Sequence, residues 1–169
     1  MSSDFFKPAV TVDVLVLCWQ PTPQILLIQR KNAPFAGAWA LPGGFLDATE
    51  PLHEAARREL QEETGLNIPE VSFFGVYGEP ARDPRGRTLT LAYLTLLEVA
   101  APVSGQDDAR DARWFTLKQL PELAFDHARI VRDGLKDLRC RLENRHPEPL
   151  QPKQAAERLK QLRDHLTEI

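Results

Sequence analysis

Two apolar runs separated by one breaker constrain this chain more than any other feature. Val10 to Trp19 is rich in Val and Leu and ends at PTP, and ILLIQR follows at once, which reads as strand, turn, strand. Both runs are nearly continuously apolar, so both strands are expected at the centre of a sheet with each face covered. VSFFGVY and TLTLAYLTLL read as two more strands, a long hairpin joined by GEPARDPRGR, and RWFTL reads as a short one after the acidic loop SGQDDARDA. Helical spacing of apolar residues marks AFDHARIVRDGLKDLRCRLENR as a long helix. Another helix follows the loop KNAPFAGAWALPGG, with Thr49 or Glu50 as its cap, Pro51 in its first turn and Gly65 at its end. Strands interleaved with two helices predict an α/β layered architecture.

The length of 169 residues suits one domain, expected over 1–146. HPEPLQP reads as a linker, and the extension over 147–169 ends in a helix with Ala156, Leu159, Leu162 and Leu166 on one face. A net charge of -3 argues against a broad basic surface for nucleic acid, so any anionic ligand must be met locally. Cys18 and Cys140 have neither zinc-site spacing nor the density of a disulfide scaffold, which fits a reduced cytoplasmic protein. The longest clean apolar run, VLVLCW, is too short to span a bilayer.

The first helix carries an oddity. Residues three and four apart are neighbours on a helix, so Glu59, Glu62 and Glu63 project from one side. At about 100° per residue, Leu52 and Ala56 fall in the same sector as Glu59 and Glu63, so these carboxylates stand beside the core stripe. Clustered like charges at a core edge repel and lose hydration, and a divalent cation would offset both costs. Hard oxygen ligands favour magnesium or manganese over zinc. The structural alternative is a solvated helix laced with ion pairs such as Glu54 with Arg58.

The spacing of the whole stretch decides between these. From Gly44 the order is five residues, Glu50, seven residues, Arg58, Glu59, Leu60, one residue, Glu62, Glu63, one residue, Gly65, Leu66. This resembles the Nudix box at every defined position, and so many fixed positions make a specific match. The resemblance implies a Nudix-type α/β/α sandwich with a mixed sheet between helices. It also implies metal-assisted attack of water on a nucleoside-linked diphosphate, with Mg2+ or Mn2+ as cofactor. In that family the metal ligands would be Glu59 and Glu63, with Glu62 binding directly or through water and the Gly43 carbonyl adding one oxygen. Glu50 and Arg58 would pair to hold the loop against the helix.

Beyond the box, PFAGAWALPGGF, GEPARDPRGRTLTLAY and LAFDHARIV are similar to the ADP-ribose pyrophosphatase branch of that family. Pro80, fifteen residues past Gly65, stands where that branch has a marker proline. Arg82, Arg85 and Arg87 are candidates to grip phosphate bidentately, the alternative being a solvated loop with Asp83 paired to an arginine. Arg30 can face the phosphates, and Tyr77, Phe35 and Trp39 are candidates to stack on adenine or simply core. For a general base, GQDDARDA offers Asp107, Asp108 and Asp111 where branch members have Glu, and Asp108 is the candidate carried forward. His127 is read as a structural hydrogen-bonding group at its helix start, with acid or base work as the alternative. The expected reaction is ADP-ribose to AMP and ribose 5-phosphate. Alternatives are another Nudix diphosphatase, acting on NADH, a nucleotide sugar or a damaged nucleoside triphosphate, and a non-catalytic ADP-ribose-sensing module. The expected partner is thus a small nucleoside diphosphate derivative, with no nucleic acid and no membrane. A homodimer is expected from the resemblance and the spare apolar helix.

Overall fold

The computed structural model describes residues 6–144. The linker and amphipathic helix expected over 147–169 lie outside the described residues. In chain order the elements are β1 (Ala9–Gln20), β2 (Gln24–Arg30), β3 (Trp39–Ala40), β4 (Gly43–Phe45), α1 (Leu52–Thr64), β5 (Ser72–Tyr77), β6 (Thr88–Val99), β7 (Ala109–Thr116) and α2 (His127–Asn144). A single turn of 3-10 helix, Leu117–Gln119, follows β7.

The seven strands form one mixed sheet in the order β3-β2-β1-β6-β5, with β4 also on β1 and β7 also on β2. β1 runs parallel to β6 along nearly its whole length, from Ala9 opposite Thr88 to Gln20 opposite Val99. The side-chain period of two then divides the apolar runs between two cores. Val12, Val14, Val16, Leu26 and Ile28 pack under α1 with Ala55, Ala56 and Leu60. Leu15, Leu17, Trp19, Ile25 and Leu27 pack under α2 with Ile130, Val131, Leu135 and Leu138. Gly134 lets α2 lie close to the sheet, since a Cβ there would stand 2.5 Å from Leu15 Cδ2. The expected α/β/α sandwich is therefore the observed one.

Three local expectations need correction. The segment read as a loop from Lys31 to Gly44 contains β3 and the start of β4, short strands whose hydrogen bonds come from edges that β2 and β1 leave free. β7 begins at Ala109, inside the stretch read as an acidic loop, because β2 offers a full antiparallel partner there. Neither Thr49 nor Glu50 caps α1. Pro51 holds the cap position with no side-chain cap bond, and the Glu50 carboxylate is engaged by Arg58 and the Asp47 N–H instead. Gly65 does close the helix, with φ of 72° in the left-handed region.

Because each helix seals one face through fully buried leucines, Leu60→Ala and Leu135→Ala should each cost about 2–5 kcal/mol. Urea unfolding would measure this; a loss well below 1 kcal/mol in either variant would contradict two independently sealed faces.

Candidate active site

β1 and β2 pair only beside their turn, at Leu17 with Ile25 and Cys18 with Gln24, and then part. β4 takes the edge that β1 leaves vacant and β3 the edge that β2 leaves vacant. A cavity of about 360 Å³ opens at this divergence, lined by Thr11 and Asp13 of β1, Arg30 of β2, the 41–47 turn, the acidic side of α1 and the loop before α2. The fold therefore gathers β1, β2, α1 and the start of α2 around one space.

One wall is acidic. Arg58 gives two hydrogen bonds to Glu50, at 2.6 and 3.0 Å, and its Nη1 donates to Glu59 at 2.8 Å and Glu62 at 2.9 Å. Its Nη2 also donates to the Phe45 carbonyl at 3.1 Å, tying the turn to the helix. These bonds, Glu50 foremost, raise the Arg58 pKa above its ordinary value. The Glu54–Arg58 ion pair of the structural alternative is not formed: Arg58 turns towards the cavity. Glu63 is 5% exposed and accepts the Gly43 N–H at 2.8 Å. Burial drives its pKa up to about 8, the Gly43 bond working against the rise and the nearby Glu59 adding to it. Burial also raises Glu59, against the pull of Arg58.

Among the described residues, no three His, Cys, Asp or Glu side chains already stand arranged as a metal cage. The donor chemistry nevertheless fits a hard divalent cation. Arg58 occupies Oε1 of Glu59 and Oε2 of Glu62, and Gly43 occupies Oε2 of Glu63, so each glutamate keeps one oxygen without a hydrogen bond among the described residues. Gly44 has no Cβ to fill the space, where one would come within 2.5 Å of Glu59 Oε2. Three such oxygens, one on a nearly buried carboxylate, are what a magnesium or manganese ion satisfies.

The opposite wall is cationic and aromatic. Arg30 donates to the Pro34 carbonyl at 2.8 Å and lies over the Phe125 ring at 4.9 Å. Arg85, clamped by Asp83 at 2.7 Å, sits between Phe45 and Phe125, at 5.0 and 5.7 Å from the ring centroids. Asp83 therefore pairs as the solvated-loop alternative has it, while Arg85 still reaches the cavity. Arg82 also lines it but is spent on Asp126, at 2.5 and 2.9 Å, and on Thr90 Oγ1 at 2.5 Å. Asp107 and Asp108 stand at the rim, with Asp108 accepting from Asn32 at 2.9 Å.

Other candidates lie elsewhere. Tyr77 is buried under α2, with its hydroxyl 3.4 Å from Asp133, and burial first of all raises its pKa. Pro80 is exposed in the turn after β5, and Arg87 donates to the Gly78 carbonyl, outside the cavity lining. Trp39 packs edge-on against Phe115 in the α2-side core. Phe35 stands behind the wall, edge-on to Phe125 at 4.7 Å. Asp111 is within β7 and paired with Arg113 at 2.5 Å.

Sequence reasoning missed Phe125, over which Arg30 and Arg85 lie, and Asp13. The second is the more telling. It sits on the cavity floor, 7% exposed, and burial lifts its pKa to about 7. A lone Asp inside the apolar run VTVDVLVLCW was the available signal, since a charge in a central strand calls for a reason. His127 caps the same floor: its Nδ1 accepts the Leu41 N–H at 2.9 Å, so a neutral ring carries its proton on Nε2, 3.6 Å from Asp13. Burial first, then Arg82, pushes His127 down to about 3, so the ring is neutral near pH 7. The structural hydrogen bond expected of His127 is present.

The NUDIX domain profile matches residues 8–134. Over 133 residues the chain is 45% identical to an ADP-ribose pyrophosphatase of Methanocaldococcus jannaschii, covering 78% of this chain and 76% of that protein. It is 38% identical over 148 residues to the ADPR responsive transcriptional repressor NtrR of Acinetobacter baylyi, covering 85% of this chain but spanning only 58% of the repressor. Among solved structures, the NUDIX domain of Shewanella oneidensis NrtR complexed with ADP ribose superposes with a TM-score of 0.74 at 32% identity, covering 82% of this chain and 93% of that one. A bifunctional NMN adenylyltransferase/ADP ribose pyrophosphatase of Francisella tularensis, complexed with AMP and a Mn ion, gives a TM-score of 0.69 at 32% identity, covering 80% of this chain and 43% of that one.

The two buried acids predict how metal-free protein responds to pH. Glu63, ordinarily at 4.5 and here about 8, contributes stability that is complete below 4.5 and lost as pH rises through 8. Asp13, raised from 3.8 to about 7, acts in the same direction, while His127, lowered from 6.5 to about 3, opposes them only below 6.5. In chelator, Tm should therefore fall between about pH 6.5 and 8, Glu63→Gln should flatten the fall, and magnesium should restore Tm in the parent only. A Tm that rises across this window would refute the assignment.

Proposed function

The chain belongs to the Nudix family and is a Nudix pyrophosphohydrolase, and from that premise we propose that its principal substrate is ADP-ribose, cleaved to AMP and ribose 5-phosphate. The observation that carries this reading is the complete acidic helix aimed into a cavity whose other wall is cationic. The relatives named for ADP-ribose support the choice of substrate.

In this reading Glu59 and Glu63, with Glu62 and the Gly43 carbonyl, hold magnesium, manganese being an acceptable substitute. When bound, the cation supplies neutralisation of the diphosphate oxygens and acidifies water. The chain's own residues do the rest. Arg58 fixes the directions of Glu59 and Glu62 and, through Glu50 and the Phe45 carbonyl, keeps the turn seated. Arg30 and Arg85 face the phosphates, with guanidiniums oriented by Phe125, and stabilise charge that builds on the transferring phosphoryl group. Asp108 at the rim accepts the proton of the attacking water. The water oxygen bonds to one phosphorus, the bridging P–O bond breaks, and the bridging oxygen leaves with the other phosphate. Positioning and electrostatics supply most of the acceleration.

The same reading takes residues 1–146 as the catalytic domain of a cytoplasmic homodimer and 147–169 as a linker and helical extension. None of the described helices is long and apolar enough to cross a membrane. A second reading, an ADP-ribose sensor, draws on the likeness to the Acinetobacter repressor. The intact box favours hydrolysis, because a sensor needs neither all three glutamates nor Arg58.

Incubation with ADP-ribose and magnesium should release AMP and ribose 5-phosphate, resolved by chromatography, and Glu63→Gln should slow release by about 100-fold or more. Binding without cleavage would favour the sensor. Faster turnover of NADH, a nucleotide sugar or an oxidised nucleoside triphosphate would move the substrate elsewhere within the family.

A further inference from the structure

Asp13 lacks what buried carboxylates usually have. Its side chain is more than nine-tenths buried, yet neither oxygen accepts a hydrogen bond among the described residues. The nearest polar approach is His127 Nε2, at 3.6 Å from Oδ2. Arg82, the charge that weighs most on it, bonds through each of its three nitrogens to Asp126 or Thr90. An acceptor on the cavity floor that no protein donor reaches is open to a donor on a ligand, and Arg82 is turned to Asp126 and Thr90 instead. The carboxylate faces the cavity beside Gly43, where a Cβ would stand 2.6 Å from Asp13 Oδ1.

The geometry points to Asp13, with His127 behind it, as the acceptor that reads the hydroxyls of a ribose attached to the scissile diphosphate. This rests on the proposed function, since it is the diphosphate held at the acidic helix that brings a ribose to this floor. Arg82 and Arg30 act on Asp13 against Asp126 and Glu59, so the charges around it already oppose one another and call for no added cation. The side chains lining the cavity with it include Thr11, Thr90, Arg82 and His127, polar groups that suit a hydroxylated ligand, the two threonine hydroxyls being bonded to each other at 2.6 Å. A vicinal diol matches best: two hydroxyl protons for two carboxylate oxygens, on a sugar one methylene from either phosphate. Such a site specifies ribosyl substrates over deoxy analogues, because a missing hydroxyl leaves the buried acceptor open again.

The test crosses substrate with variant. Wild type, Asp13→Asn and Asp13→Ser are assayed with magnesium on ADP-ribose and on analogues lacking a hydroxyl on the adenosine ribose or on the terminal ribose. In parallel, calorimetry in chelator compares ribose 5-phosphate with 2-deoxyribose 5-phosphate, and AMP with its 2′-deoxy and 3′-deoxy forms. Loss of the hydroxyl on one of the two riboses should cost wild type about 10- to 100-fold in kcat/KM, and the variants about threefold or less. The sensitive analogue identifies which ribose is read. Asp13→Asn should melt at the same or a higher temperature than wild type, whereas a merely structural Asp13 predicts a lower Tm with discrimination intact. If wild type hydrolyses ADP-ribose but ignores every missing hydroxyl, Asp13 is not the reader, and that result needs no variant. If wild type releases no AMP, the proposed function fails, and the chelator binding arm still decides: a preference for the hydroxylated member of either pair that Asp13→Asn removes supports the reader, and no such preference in either pair overturns it.

Discussion

Everything at the site depends on two strands that stop pairing. β1 and β2 are adjacent only at the residues flanking their turn, while each is pinned on its other edge, β1 by β6 and β2 by β7. Where they part, the inner edges expose N–H and C=O groups that the chain between them must satisfy. β3 and β4 do that with five residues in all. The turn from Leu41 to Asp47 is thereby fixed against both the sheet and α1, and the cavity is the space the parting leaves.

The same arrangement explains why acidic groups can be buried here. A carboxylate loses several kcal/mol of hydration on entering a low-dielectric space, and three on one helix face add repulsion. Arg58 offsets part of that for Glu59 and Glu62, and the Gly43 N–H part of it for Glu63. What remains appears in the upward shifts of Glu63 and Asp13, both of which stand beside Gly43. The free energy stored in these groups opposes folding of the metal-free chain and favours ligand binding, since a cation or a hydroxyl donor releases it.

Much of this was legible in the sequence, for identifiable reasons. Continuous apolar runs announced β1 and β2, and the box spacing announced α1 with its acidic side. β3 and β4 were not legible, because strands of two and three residues are defined by vacant edges elsewhere in the sheet and carry no periodicity of their own. The start of β7 was masked by its charges, which a strand at the sheet's margin tolerates. Arg82 illustrates a different limit. Its loop position suggested a phosphate ligand, yet 5% side-chain exposure and a bidentate bond to Asp126 make it a strut between the β5–β6 loop and the segment before α2. Loop arginines can be told apart only once their partners are known.

The division of labour among the arginines has a consequence for what can enter. Arg58 and Arg82 are consumed by protein carboxylates, while Arg30, and Arg85 although paired with Asp83, lie over Phe125 at the cavity. An anion entering alone would be attracted by these two and repelled by Glu59, Glu62 and Glu63 across the cavity. A divalent cation entering alone meets the reverse field. The two together neutralise both walls, and in a confined low-dielectric space that coupling is stronger than in water. Metal and diphosphate should therefore bind with mutual reinforcement, each raising the other's affinity by the same factor. The opposed walls thus select a ligand that is itself an anion paired with a cation.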